Sequence, residues 1–202
     1  MKRQIIILAF LGIVIPFVAA KAEPRFRNPM NFSRSDPVSA YYDNNAGSGV
    51  TDWQCKGNTY NSHAGTDFRA PIGSYISAGA TGNLYYRYDA CPTWGSWGDT
   101  CGGRFGNHVR IAHTSPWDES SSWRSYYAHL SQGTANVRWY SSVQCGAWVG
   151  NSGSSGSSTG PHMHFEVRRY GYPKDDPYAG ACSGPISFWV NQNGGNPTPQ
   201  CQ

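Results

Sequence analysis

Four of the six histidines in this chain, together with one aspartate, fall in three short segments. They read His63-Ala-Gly-Thr-Asp67-Phe68, Tyr126-Tyr-Ala-His129-Leu-Ser131 and Ser158-Thr-Gly-Pro-His162-Met-His164-Phe-Glu166. Residues two apart on a strand share a face, about 6.5 Å apart along the backbone, so His162 and His164 can converge on one site. His63 and Asp67 are separated by three residues, two of them small, and from a loop both can turn toward one cation. A carboxylate and an imidazole joined by one further imidazole make a three-ligand set. Such a set leaves a fourth tetrahedral position for water, the pattern of catalytic rather than structural zinc. Zinc so held lowers the pKa of water to roughly 7 and polarises a carbonyl. An H-x-H pair alone has low specificity. Cupins use one, but with a Glu several residues beyond the second His, whereas Glu166 follows His164 by two. No HExxH segment is present, which sets aside the glutamate-base mechanism of many zinc proteases.

The elements that must position these groups read as sheet. The chain holds 24 Gly and 13 Pro, and turn signals recur every few residues. Between them stand short alternating runs: Val109 to His113, Ser125 to Leu130 and His162 to Val167. Helical periodicity longer than two turns is nearly absent, and no repeat or coiled coil is visible. The expectation is a mainly β, single compact domain built on an antiparallel sheet. Three long connections would wall a substrate groove on that sheet. The first, Arg87 to Asn107, holds Cys91, Trp94, Trp97 and Cys101. The second, Thr114 to Arg124, carries Trp117 and Trp123, and the third, Gly150 to Pro161, is mostly Gly and Ser.

Lys2 and Arg3 followed by an apolar run from Ile5 to Val18 and by Ala20-Lys21-Ala22 have the order of an export signal. The run falls short of the roughly 20 residues a spanning helix needs. Residues 1–22 are therefore expected to be removed, with no membrane association afterwards and a secreted or periplasmic location. Taking Lys2, Arg3 and Lys21 from the 16 basic residues leaves 13 against 12 acidic ones. That balance is not the footprint of a nucleic-acid binder, and Arg168-Arg169 reads as solvated surface. The six cysteines suggest disulfides in an exported chain. Spacing favours Cys91–Cys101 and Cys182–Cys201 as local closures, leaving Cys55–Cys145. The polar tail, 191–202, would then be tied down through Cys201.

At the level of whole motifs the chain resembles the lysostaphin/LytM-type (beta-lytic) metallopeptidases. That family carries H-x-x-x-D, Y-A-H-L and G-P-H-x-H-F segments in this order, which stand here as HAGTDF, YYAHLS and TGPHMHFEV. GNHVRIAH likewise resembles its G-N-x-V-x-I-x-H strand. The likeness runs from about His63 to Val167, with looser similarity back to Tyr41-Tyr42-Asp43. It implies a duplicated-hybrid-motif-like fold over residues 23–190 and one zinc ion per chain, held by His63, Asp67 and His164. His129 and His162 would be the pair that does not bind metal but deprotonates the attacking water and stabilises the tetrahedral intermediate. The implied activity is hydrolysis of peptide bonds in peptidoglycan stems or cross-bridges by a monomer. Two other readings are a secreted protease acting on Gly-rich proteins and a non-catalytic wall-binding module.

The remaining polar candidates have blander expectations. His113 reads as packing or support to the site, His108 as surface, and Asn107 as structural. Tyr60 and Tyr127 could each donate to an oxyanion, but aromatic core is the simpler role. Glu166 shares a face with His164, so it could orient that ligand or make a solvent salt bridge. Val38 to Asp43 reads as the domain's own first strand, with no separate prodomain. Asn44 and Asn45 read as a turn rather than as a metal block.

Overall fold

Alternation of apolar and polar residues decides which way each strand faces here. The computed structural model describes residues 24–30, 38–113, 123–135, 138, 141–169 and 174–192. Within them the strands are β1 (Val38–Ala40), β2 (Thr66–Arg69), β3 (Tyr75–Ser77), β4 (Gly82–Tyr88), β5 (Asn107–Ala112), β6 (Trp123–Leu130), β7 (Ser142–Val143), β8 (Trp148–Asn151), β9 (His162–Arg169) and β10 (Lys174–Asp175). An eight-stranded antiparallel sheet runs β1-β2-β9-β6-β5-β4-β7, with β10 pairing the far end of β9 beyond β2. β3 and β8 form a second, two-stranded sheet. The mainly β, antiparallel architecture expected from the patterning is the one observed. The single helical turn among the described residues is a 3-10 segment, Cys101–Arg104.

The large sheet has two unlike faces. Leu84, Val109, Ile111, Tyr127, Met163, Phe165 and Val167 are buried on one of them. They pack against Phe26 and Met30 from the leading segment and against Ile76 and Val149 from the small sheet. Each such side chain contributes about 1.5–3 kcal/mol by leaving water. The opposite face carries the polar set. Paired residues on neighbouring strands point the same way, so the register places Glu166, Tyr126, Arg110 and Tyr86 in one row across β9, β6, β5 and β4. His164 lies one step along β9, opposite Ala128.

Two sequence expectations fail on tertiary grounds. Cys91–Cys101 forms as spacing suggests, but Cys55 is bonded to Cys182 across 127 residues. That excludes both Cys182–Cys201 and Cys55–Cys145. Cys145 is also disulfide-bonded, and Cys201 lies outside the described residues. His108, read as surface, is buried, stacked between Tyr86 and Tyr88 with Phe105 at 5.5 Å. Residues 1–22, the greater part of the second long connection with Trp117, and residues 193–202 of the tail also lie outside the described set. No helix among the described residues is long and apolar enough to cross a membrane.

Candidate active site

The His63 segment is held from below by a buried carboxylate. Asp43 accepts the backbone N–H groups of Asn45, Thr51 and Ser62, and its own N–H donates to the His63 carbonyl. Asn44 meanwhile donates to Asp176, and Asn45 Oδ1 accepts the Gly47 N–H, the local bond of an Asx turn. His63 and Asp67 then sit at the mouth of β2, whose register sets Asp67 directly opposite His164. Gly65 between them is required by close approach. A Cβ there would press on the Phe165 carbonyl oxygen and stand 2.8 Å from His164 Cε1.

Three acceptor atoms meet where these elements cross. His63 Nδ1–H donates to the Tyr41 carbonyl at 2.5 Å, and His164 Nε2–H donates to Glu166 Oε1 at 3.0 Å. A carbonyl or carboxylate oxygen can only accept, so the remaining nitrogens, His63 Nε2 and His164 Nδ1, carry lone pairs. These two lie 3.3 Å apart and 3.1 and 2.7 Å from Asp67 Oδ1. Candidate ligand atoms of all three residues fall within 4.8 Å of one another. Acceptors aimed at one point with no donor among them call for a cation, and two imidazoles with a carboxylate suit zinc. The local field is negative. Burial would raise the Asp67 carboxyl, yet the two imidazoles beside it hold it well below its usual range, so it stays ionised. Burial would lower His164, yet the Asp67 and Glu166 carboxylates lift it to about 9, and the same two charges favour any cation at this point.

His129 and His162 flank this cluster. Their rings are 4.6 Å apart, and His162 Nε2 lies 3.7 Å from Asp67 Oδ1. Strict alternation along β6 would send His129 into the core with Tyr127. A bulge prevents this: Val109 faces Tyr127 and Asn107 faces Leu130, so β6 spends three residues on two of β5. His129 takes up the extra residue with φ of 57°, a left-handed conformation uncommon outside glycine. Its Nδ1–H donates to the Ser155 carbonyl at 2.7 Å, and the His162 Nδ1–H donates to the Gly160 carbonyl at 2.8 Å. Each ring therefore presents an unprotonated Nε2. Burial, then the neighbouring His162 and His164, push His129 down to about 3.

The five motif residues His63, Asp67, His129, His162 and His164 thus arrive at one place, and the other polar candidates sort by what each touches. Tyr60 is no core residue: it stacks on His63 at 4.1 Å and donates to Asp67 Oδ2. Burial and the Asp67 charge push its phenol pKa upward, so it stays a donor. Tyr127, by contrast, is core, accepting from Gly79 N–H. Glu166 is buried and orients His164 while pairing with Arg168, which stays partly exposed as it lies over Tyr126. His113 packs on Phe26 and bonds Thr81 and Ser125. Asn107 is structural, tying the Cys91 backbone to Leu130. The Gly150 to Pro161 connection is more than a wall, since Ser152, Ser154, Ser155 and Ser158 are buried. Ser155 anchors Asn107 N–H, the Leu130 carbonyl and His129 together.

An antiparallel sheet bearing a His–Asp–His cluster beside two further imidazoles defines a class of sheet-built hydrolase. Residues 61–176 match peptidase family M23, and the chain belongs to that family, as its likeness to lysostaphin/LytM-type enzymes implies. The DD-carboxypeptidase/endopeptidase Mpg of Neisseria meningitidis serogroup B is 34% identical over 118 residues, covering 57% of this chain and 22% of that protein. Lysostaphin of Staphylococcus simulans is 31% identical over 104 residues, covering 52% of this chain and 17% of lysostaphin. The matched region is thus a fifth or so of each relative's length. A catalytic-domain mutant of the prophage-encoded M23 protein EnpA from Enterococcus faecalis shares the fold. Its TM-score is 0.50 over 77% of this chain and 94% of that one, at 24% identity.

Proposed function

We propose that this chain is an exported zinc endopeptidase that hydrolyses peptide bonds in peptidoglycan stems or cross-bridges. The observation that carries the reading is the meeting of His63 Nε2, Asp67 Oδ1 and His164 Nδ1 around one point, with His129 and His162 beside it. Bound there, zinc supplies Lewis acidity. The side chains do the rest. One of the two unprotonated Nε2 atoms accepts a proton from the attacking water. The imidazolium so formed donates to the oxyanion of the tetrahedral intermediate and then returns the proton to the leaving amine. The Ser155 and Gly160 carbonyls keep both rings oriented. Murein is the substrate class that the motif likeness implies, and disulfides suit an exported chain.

Digestion of purified sacculi, with and without a chelator, tests this. New amino termini without new reducing sugar, lost on chelation and restored by zinc, are expected. Release of reducing sugar, or cleavage indifferent to chelator, would overturn it.

A further inference from the structure

Arg110 occupies an unusual position on the polar face of the sheet. In the strand Asn107-His-Val-Arg110-Ile-Ala112, Val109 and Ile111 enter the core, so Arg110 faces the same side as Glu166 and His164. Its guanidinium carbon lies 4.3 Å from the Tyr86 ring centroid and 4.8 Å from that of Tyr126. Arg168 covers Tyr126 as well, at 4.2 Å. Two guanidinium groups therefore share one ring. Only Arg168 has a counter-charge, bonding Glu166 through Nε and Nη2. Glu166 is already committed to His164 as well. Among the described residues no carboxylate pairs with Arg110, and its buried Nε has no hydrogen-bond partner.

We propose that Arg110 is a carboxylate-binding subsite for the substrate peptide, bordering the Phe105 ring that also borders the metal donors. This rests on the peptidase reading of the same face. The Phe105 ring lies 6.1 Å from the His164 ring and 5.9 Å from the Arg110 guanidinium. Laid end to end, those separations put Arg110 within about 12 Å of His164. An extended peptide rises about 3.3 Å per residue, so a carboxylate up to three or four residues from the scissile bond reaches it. Stacking between Tyr86 and Tyr126 holds the planar fork in place before any ligand arrives, so little freedom is lost on binding. A planar, fixed, uncompensated guanidinium is matched by a carboxylate rather than by a neutral amide. Murein stem peptides carry such groups both within the chain and at its end.

The test uses a synthetic stem peptide, L-Ala-γ-D-Glu-L-Lys-D-Ala-D-Ala, in three forms: free, amidated on the internal glutamyl carboxylate, and amidated at the carboxyl terminus. Binding is measured calorimetrically on zinc-loaded His129→Ala protein, in which consumption of the peptide is slow on the timescale of the titration. One of the two amidations is expected to weaken binding about 10- to 100-fold, the range for a hydrogen bond to a charged group. The form affected identifies which carboxylate is read. Arg110→Gln should weaken the free peptide by a similar factor and become indifferent to that amidation. Arg110→Lys, which keeps the charge but not the fork, should retain part of the preference. Thermal melts check that both variants fold, and the amidation comparison itself needs no change at Arg110. Equal binding of all three peptides, an amidation effect that survives in Arg110→Gln, or no binding at all overturns the subsite. A protein that binds with this preference but never cleaves would instead sink the hydrolysis reading and leave the subsite standing.

Discussion

The Nδ1 atom of His129 lies 2.7 Å from the carbonyl oxygen of Ser155, and this contact ties a bulged strand to the Gly/Ser-rich connection beside it. The same connection supplies the Gly160 carbonyl to His162. Both imidazoles are thereby fixed in one tautomer by backbone, with no side chain needed for the purpose. His63 is fixed in the same manner by Tyr41, whereas His164 alone uses a carboxylate.

That division predicts which histidines can be removed without losing metal. His129→Ala and His162→Ala each leave the three acceptor atoms and their supports intact. Each should bind one zinc per chain, measured by metal analysis after dialysis, while turnover falls 10²- to 10⁴-fold, the usual range for a lost general acid or base. His63→Ala should lose both metal and turnover. Unchanged turnover in the first two variants would remove them from the mechanism.

Gly65 predicts a different kind of failure. An added methyl meets the Phe165 backbone and the His164 ring at once, and backbone cannot rotate away. Gly65→Ala should therefore push β2 off β9 and spread the donor atoms. Weaker zinc binding in a chelator competition is expected, together with a lower melting temperature. A variant that binds zinc as tightly as the parent would show that the strands relax without cost.

How much of this could be read from the chain follows from strand parity. His162, His164 and Glu166 share a face because a strand repeats every two residues, and nothing disturbs that repeat in β9. His129 breaks parity, and the left-handed residue responsible has no signature in Tyr-Tyr-Ala-His-Leu beyond the family motif. Cys91–Cys101 was legible because ten residues close a loop by themselves. Cys55–Cys182 was not, since its partners meet only once the first and last segments pack. His108 misled because an exposed histidine and one buried by tyrosines on the next strand look alike in sequence.

Glu166 offers a test of how far the metal donors depend on their support. It is buried and bonds His164 through one oxygen and Arg168 through the other. Glu166→Gln keeps the shape and one acceptor but removes the charge that makes His164 Nδ1 a better donor. Zinc affinity should fall about 10- to 100-fold, as for other carboxylates that support a metal-binding histidine. The readout is competition with a chromophoric chelator. Equal affinity in the two proteins would confine Glu166 to its ion pair with Arg168.

The last prediction concerns acid sensitivity away from the donor cluster. Burial, reinforced by the charges of Arg110 and Arg168, outweighs a hydrogen bond to the Gly106 carbonyl and pushes His108 down to about 4. An unfolded chain protonates this ring near 6.5. The folded state therefore binds fewer protons between those values, and stability falls as pH drops through that window. Above pH 6.5 the residue has no effect, and below about 4 the loss is complete. Between pH 7 and pH 5 the linkage amounts to about 2 kcal/mol. His108→Phe preserves a ring between Tyr86 and Tyr88 but cannot titrate, so its denaturant midpoint should decline less steeply over that interval. Other histidines contribute equally to both proteins, and the difference between the curves isolates this one. Parallel curves would mean that His108 accepts a proton in place, despite the two guanidinium groups beside it.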